Sequence, residues 1–149
     1  TLSDFCYEGM FADCISLTTS PSLPATTAAY RCYCSMFYGC TALTSAPALP
    51  ATTLANGCYN HMFAGCTSLT TAPTLSVATL TTQCYIDMFR NCSNLTSITC
   101  LATDITASDC TTNWVDGVAA SGTFTKSPQM TSWTTGNNGI PTGWTVVDF

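Results

Sequence analysis

Charge is the first thing this chain lacks. Only 7% of its 149 residues are Asp, Glu, Lys or Arg, against about a quarter in an ordinary soluble domain. Lys and Arg together number three and the net charge is −5. Nucleic-acid binding and electrostatic membrane anchoring both need a basic patch, so both are excluded as expectations. Long apolar runs are missing as well. Mean hydropathy is +0.26, yet no stretch approaches the roughly 18 residues of a spanning helix. There is one histidine and no Cys-x-x-Cys pair, only Cys32-Tyr33-Cys34, so no set of four converging zinc ligands is legible. No G-x-S-x-G elbow occurs, and the acidic residues are scattered rather than paired as in a glycosidase. No charged-then-apolar leader opens the sequence. These absences point away from an enzyme, a metal site or a cofactor.

What is present is a repeat. Cys6, Cys32, Cys58, Cys84 and Cys110 recur at a step of 26 residues. Met10, Met36, Met62 and Met88 keep the same register, as do Phe11, Phe37, Phe63 and Phe89, and Cys14, Cys40, Cys66 and Cys92. Strict periodicity of this length marks a stack of units, each burying its apolar face on its neighbours.

Within a unit the spacing predicts a short helix, then a short strand, then an extended return. Cys58, Met62, Phe63 and Cys66 lie at i, i+4, i+5 and i+8, an apolar helical stripe. Asp4, Asn56, Thr82 and Ser108 stand where N-caps belong, with Tyr30 the exception. Asp13, Gly39, Gly65, Asn91 and Gly117 tolerate the left-handed conformation that ends a helix. Ser68-Leu69-Thr70-Thr71-Ala72 reads as a strand. Pro21, Pro47 and Pro73 would stop its pairing in the first three units, because proline has no donor. The fourth unit has Thr99 there, with Thr123-Phe124-Thr125 as the expected partner. Leu2, Leu54 and Leu80, with Ala28 as the small variant, are expected to point inward.

The fifth unit degenerates: Trp114, Val115 and Val118 replace Met, Phe and the second Cys. The organisation expected is a repeat region over residues 1–118 and a C-terminal β cap over 119–149, with strand candidates at Thr123 to Thr125 and Trp144 to Val147. Trp114, Phe124, Trp133 and Trp144 would cover the end of the core. At the other end Thr1-Leu2 aligns with Thr53-Leu54, mid-unit, from which a fragment of a longer repeat protein is expected.

The unit C-Y-x-x-M-F-x-G-C-x-x-L-T resembles the BspA-like leucine-rich repeats of Bacteroides-type surface proteins. MFAGCTSLT (Met62 to Thr70) and MFYGCTALT (Met36 to Thr44) carry the likeness, with MFADCISLT from Met10 and MFRNCSNLT from Met88 close behind. The family more often has Ala-Phe and Ile-Pro where this chain has Met-Phe and Ala-Pro, so its ligand preference is not carried over. The terminal GIPTGWTV is similar to the ends of gut-bacterial and gut-phage surface proteins. The resemblance implies an α+β leucine-rich-repeat solenoid with a parallel sheet on one face. It also implies a secreted or cell-surface location and a role in adhesion or recognition.

Eleven cysteines admit a buried thiol ladder, scattered disulfides (Cys34 and Cys100 fall outside the repeat positions) or a metal site; the ladder is the favoured reading. His61 shares its register with Gly9, Ser35 and Asp87, a variety that marks a solvent-facing position. The best binding candidate is a hydroxyl row on the strand face: Thr18, Thr19, Thr44, Ser45, Thr70, Thr71, Thr96 and Ser97. The function expected is a non-enzymatic extracellular module that binds a protein or glycan through that row. The alternatives are a structural part of a bacterial filament or phage fibre and, more distantly, ice binding. Self-association through the open N-terminal end is also admitted.

Overall fold

The computed structural model describes residues 2–149, so Thr1 and its alignment lie outside the described residues. No helix forms among them. The only strands are β1 (Ser97–Cys100), β2 (Thr123–Lys126) and β3 (Thr145–Asp148), all parallel, in the order β1-β2-β3. This corrects the α+β leucine-rich-repeat expectation of a helix and a strand in every repeat.

The stretch read as a helix is a string of turns. In the third unit every second N–H closes on the carbonyl three residues earlier: Cys58 on Ala55 (3.2 Å), Asn60 on Gly57 (3.2 Å), Met62 on Tyr59 (3.2 Å) and Ala64 on His61 (3.1 Å). The N–H groups between them point to the next unit instead. Tyr59 donates to Cys84 (3.1 Å), His61 to Ile86 (2.8 Å), Phe63 to Met88 (2.9 Å) and Gly65 to Arg90 (2.8 Å). An α-helix would satisfy all of these within the segment, four residues back. Here half the backbone groups find partners inside the unit and half across it, so no unit is complete alone.

This path needs a left-handed residue at every fourth position. Gly57, His61 and Gly65 have φ of 63°, 55° and 77°, and Arg31, Ser35, Gln83, Asp87 and Asn91 repeat the pattern. Each is the third residue of a turn of type II character. The column ending in Asp13, Gly39, Gly65, Asn91 and Gly117 has the expected φ, but it ends no helix. The other two columns are marked less uniformly: Gly9, His61, Asp87 and Asn113 suit a left-handed residue in one, and Gly57 and Asp109 in the other, beside Phe5, Arg31 and Gln83.

A four-residue period also turns one side inward. Cys58, Tyr59, Met62, Phe63 and Cys66 are at most 2% exposed. Between units, identical side chains stack. The Tyr7, Tyr33, Tyr59 and Tyr85 rings are 5.6, 5.8 and 6.2 Å apart, and Phe11, Phe37, Phe63 and Phe89 are 5.6, 5.6 and 5.8 Å apart. Both columns run into Trp114, 6.2 Å from Tyr85 and 6.3 Å from Phe89. Offset stacks of this kind add to the burial of large rings. The thiols of Cys40, Cys66 and Cys92 donate to the carbonyls of Phe11, Phe37 and Phe63 one unit back, at 3.0, 3.1 and 3.0 Å.

The strand expected after each turn string shrinks to single parallel bridges, Thr19↔Ser45 and Thr71↔Ser97. A second set joins the return segments at Thr27↔Thr53 and Thr79↔Asp104. Where Thr99 stands in place of proline the pairing extends to a four-residue strand, with Ser97 opposite Thr123 and Thr99 opposite Thr125. Leu54, Leu80 and Ala28 are buried and Leu2 is half-buried.

Residues 119–149 supply the last contacts of the stack. Trp133 lies 5.6 Å from Trp114 and meets Phe124 edge-on at 5.4 Å. The Trp114 indole donates to Gly139 O (2.8 Å) and the Trp144 indole to Ala119 O (2.7 Å). Val115 N–H donates to Asn137 O and Asn113 N–H to the Asn138 side-chain oxygen, so two of the donors that would face a sixth unit are met by this turn. At the opposite end Phe5 and Met10 are 48% and 54% exposed, whereas Met36 and Met62 in inner units are nearly dry.

Candidate functional site

The hydroxyl row holds together as a surface feature. Thr18, Thr19, Thr44, Ser45, Thr70, Thr71 and Thr96 are exposed and Ser97 is half-buried. Its geometry comes from the bridges: Thr44 donates to the Thr18 carbonyl through both N–H and Oγ1 (3.2 Å each). Thr96 does the same to Thr70, at 2.9 and 3.3 Å. The row therefore consists of two bonded pairs, Thr18-Thr19 with Thr44-Ser45 and Thr70-Thr71 with Thr96-Ser97. No bridge links Ser45 to Thr71 among the described residues. A second exposed row, absent from the expectation, comes from the return segments: Thr26, Thr27, Thr52, Thr53 and Thr79. Thr52 donates to the Thr26 carbonyl as Thr44 does to Thr18. The repeated Pro-Ala-Thr-Thr of the first two units was the available signal for it.

A second feature lies on the outward side of the turn strings. His61 and Asp87 occupy one register in adjacent units, and stacking brings His61 Nε2 to 3.2 Å from Asp87 Oδ2. Arg90, one turn beyond Asp87, sits 3.6 Å from Asp87 Oδ1 and 3.5 Å from Asp116 Oδ2, beyond hydrogen-bonding reach of the first. The His61 Nδ1 lies against the Asn60 side-chain amide. Burial holds the His61 pKa below its ordinary value; Asp87 opposes this, and Arg90 and Arg31 add to it. His61 is thus half-buried and paired, not the free surface side chain that its variable column suggested. The missed signal was the step of 26 residues between His61 and Asp87, which in a stacked chain means contact.

Beside this cluster is a notch of about 350 Å³, lined by Tyr38, His61, Ala64, Gly65, Arg90 and Asn91. It exists because Ala64 and Gly65 are small where the flanking units carry Tyr38 and Arg90-Asn91. A larger apolar hollow of about 470 Å³ opens at the first unit, between Leu2, Tyr7, Met10, Phe11, Leu23 and Met36.

All eleven cysteines are free thiols; Cys6 and Cys14 are exposed and the rest buried. Burial raises the buried thiols, to about 11 at Cys32 and about 12 at Cys84, Cys92 and Cys100, with Cys58 and Cys66 driven higher still. Thiols held protonated in this way are inert as nucleophiles. Among the described residues no group of three or more His, Cys, Asp or Glu side chains converges as a metal site, and no helix is long and apolar enough to cross a membrane. No family model, curated protein or solved structure matches this chain.

Proposed function

We propose that this chain is a non-enzymatic interaction module acting at a cell surface or outside the cell, and that it binds a protein or glycan through its hydroxyl row. The observation that carries the reading is the exposed, uncharged series of Thr18, Thr44, Thr70 and Thr96, in which the Thr44 and Thr96 hydroxyls are anchored to the Thr18 and Thr70 carbonyls. Such side chains offer both donors and acceptors at low conformational cost, and stacked repeats commonly present extended faces of this kind to ligands. The likeness of the Met-Phe-x-Gly-Cys units to BspA-like surface repeats supports the same location and role.

The test is direct. The full chain is screened against an array of glycans and extracellular proteins, and the hit is re-measured with Thr44→Lys/Thr70→Lys. Both positions are exposed, so the fold is expected to survive. A loss of about tenfold or more, roughly 1.4 kcal/mol, is expected; an unchanged affinity would rule the row out.

A second reading, as a structural part of a filament or fibre, is favoured by the two free edges. The first unit exposes Phe5 and Met10, and β3 exposes Val146, Val147 and the neighbouring Phe149. An unpaired, apolar edge invites a further strand. Sedimentation velocity separates the two readings: concentration-dependent growth supports the fibre, and a monomer at all concentrations supports the binding module.

A further inference from the structure

We propose that the notch between Tyr38, Arg90 and Asn91 is a binding site for the ring of a single neutral sugar, separate from the hydroxyl row. The walls are of two kinds. Tyr38 contributes a ring that is 44% exposed and packs in neither aromatic column of the core. Across the Ala64-Gly65 floor, one unit beyond it in the stack, Arg90 and Asn91 form the other wall, and His61 completes the lining. An apolar plate opposite planar polar groups fits a pyranose, which has a C–H face and an edge of vicinal hydroxyls.

The polar wall is held in place but not used up. Arg90 is attracted by Asp87 and Asp116 at 3.6 and 3.5 Å, yet its guanidinium makes no hydrogen bond among the described residues. Its N–H groups are left to donate to hydroxyls. Asp87 is paired in turn with His61, which itself lines the notch, and the Asp87 side chain is only 10% exposed. The floor needs nothing from a ligand, because Ala64 N–H is bonded to His61 and Gly65 N–H to Arg90. A notch of about 350 Å³ holds one ring with its first waters but no extended chain.

The charge balance decides between a neutral and an acidic ligand. Arg90 is the one full cation at the notch, and two carboxylates already offset it. The chain as a whole carries −5. A carboxylate or phosphate would therefore meet repulsion with no second cation to overcome it.

The experiment uses the whole chain, isotope-labelled, with amide shifts followed during titration by the methyl glycosides of glucose, galactose, mannose and N-acetylglucosamine. Inorganic phosphate and acetate serve as anionic probes. At least one glycoside should move the amides of Tyr38, Gly65, Arg90 and Asn91 together, with weak, saturable affinity. Tyr38→Ala should weaken that binding about tenfold, the worth of one aromatic contact. Ala64→Tyr, which fills the notch with a residue its own column carries one unit away, should abolish it. Asn91→Gly keeps the left-handed backbone (φ 60°) and should weaken binding without unfolding the chain. The proposal is overturned if no glycoside shifts these amides, if the shifts survive Ala64→Tyr, if they map to the hydroxyl row, or if phosphate or acetate produces them in place of the sugars.

Discussion

At the residue scale the cysteines set the pH range of the fold. Cys92 and Cys100 are fully buried and burial holds their thiols near 12 rather than 9. The thiolate is thereby disfavoured by roughly 4 kcal/mol at each. A folded pKa above the unfolded value stabilises fully below the unfolded pKa and is lost as pH rises through the folded one. Stability should therefore be flat up to about pH 8 and fall steeply from about 9 through 12, in urea melts taken across that range. A slope with no alkaline fall would contradict the dry thiol columns. Thiol reagent should label Cys6 and Cys14 quickly in the native protein and all eleven groups only after unfolding. Backbone strain gives a second residue-scale prediction. Gln83 is exposed at φ 59°, in a column where Gly57 stands one unit earlier. Gln83→Gly should raise stability by about 1 kcal/mol, the left-handed penalty less the entropy of an added glycine. Gly122→Ala should do the opposite, since its new Cβ would lie 2.4 Å from the Thr96 carbonyl oxygen. The contact would force β1 and β2 apart, and a loss of about 1–3 kcal/mol is expected in chemical melts.

At the element scale the turn string explains what the sequence could and could not reveal. Identical residues at a step of 26 make the stacking columns of Cys, Met and Phe legible in the sequence itself. So does the exchange of proline for Thr99, which places β1 against β2. The conformation between Cys58 and Cys66 was not legible. An apolar pattern at i, i+4 and i+8 fits a helix of 3.6 residues per turn, and equally a chain that repeats every four residues with a left-handed step. The deciding fact is where His61 and Phe63 send their N–H groups, and those partners lie 25 residues away, at Ile86 and Met88. The same long-range pairing hid the notch: Ala64 and Gly65 are unremarkable in their own unit and form a hollow only between Tyr38 and Arg90. Two measurements follow. The far-UV circular dichroism should lack the paired minima of an α-helix despite the amphipathic pattern. Phe63→Ala should cost about 3–5 kcal/mol, because Phe63 is fully buried between Phe37 and Phe89; a loss below about 1 kcal/mol would mean the column does not carry the stack.

At the scale of the whole molecule, stability should grow with the number of units. Each boundary repeats the same set of turn-string bonds. At the third, Tyr59, His61, Phe63 and Gly65 donate to the fourth unit, and the Tyr59 and Phe63 rings stack on Tyr85 and Phe89. A chain built this way is close to a one-dimensional array, in which each added unit contributes its own folding term and one more interface. Ordering a lone unit is unfavourable, since half its backbone groups lack partners; the interface is what makes the sum favourable. Duplicating residues 58–83 in place keeps every register, so the columns of Cys, Tyr, Met and Phe run on unbroken. The melting temperature and the denaturant slope should both rise, the second because more surface is exposed on unfolding. The same duplication short by one residue moves each left-handed position and each inward side chain out of its column. It should lower the melting temperature below that of the parent chain. Equal effects from the two insertions would show that the units do not depend on one another's backbone.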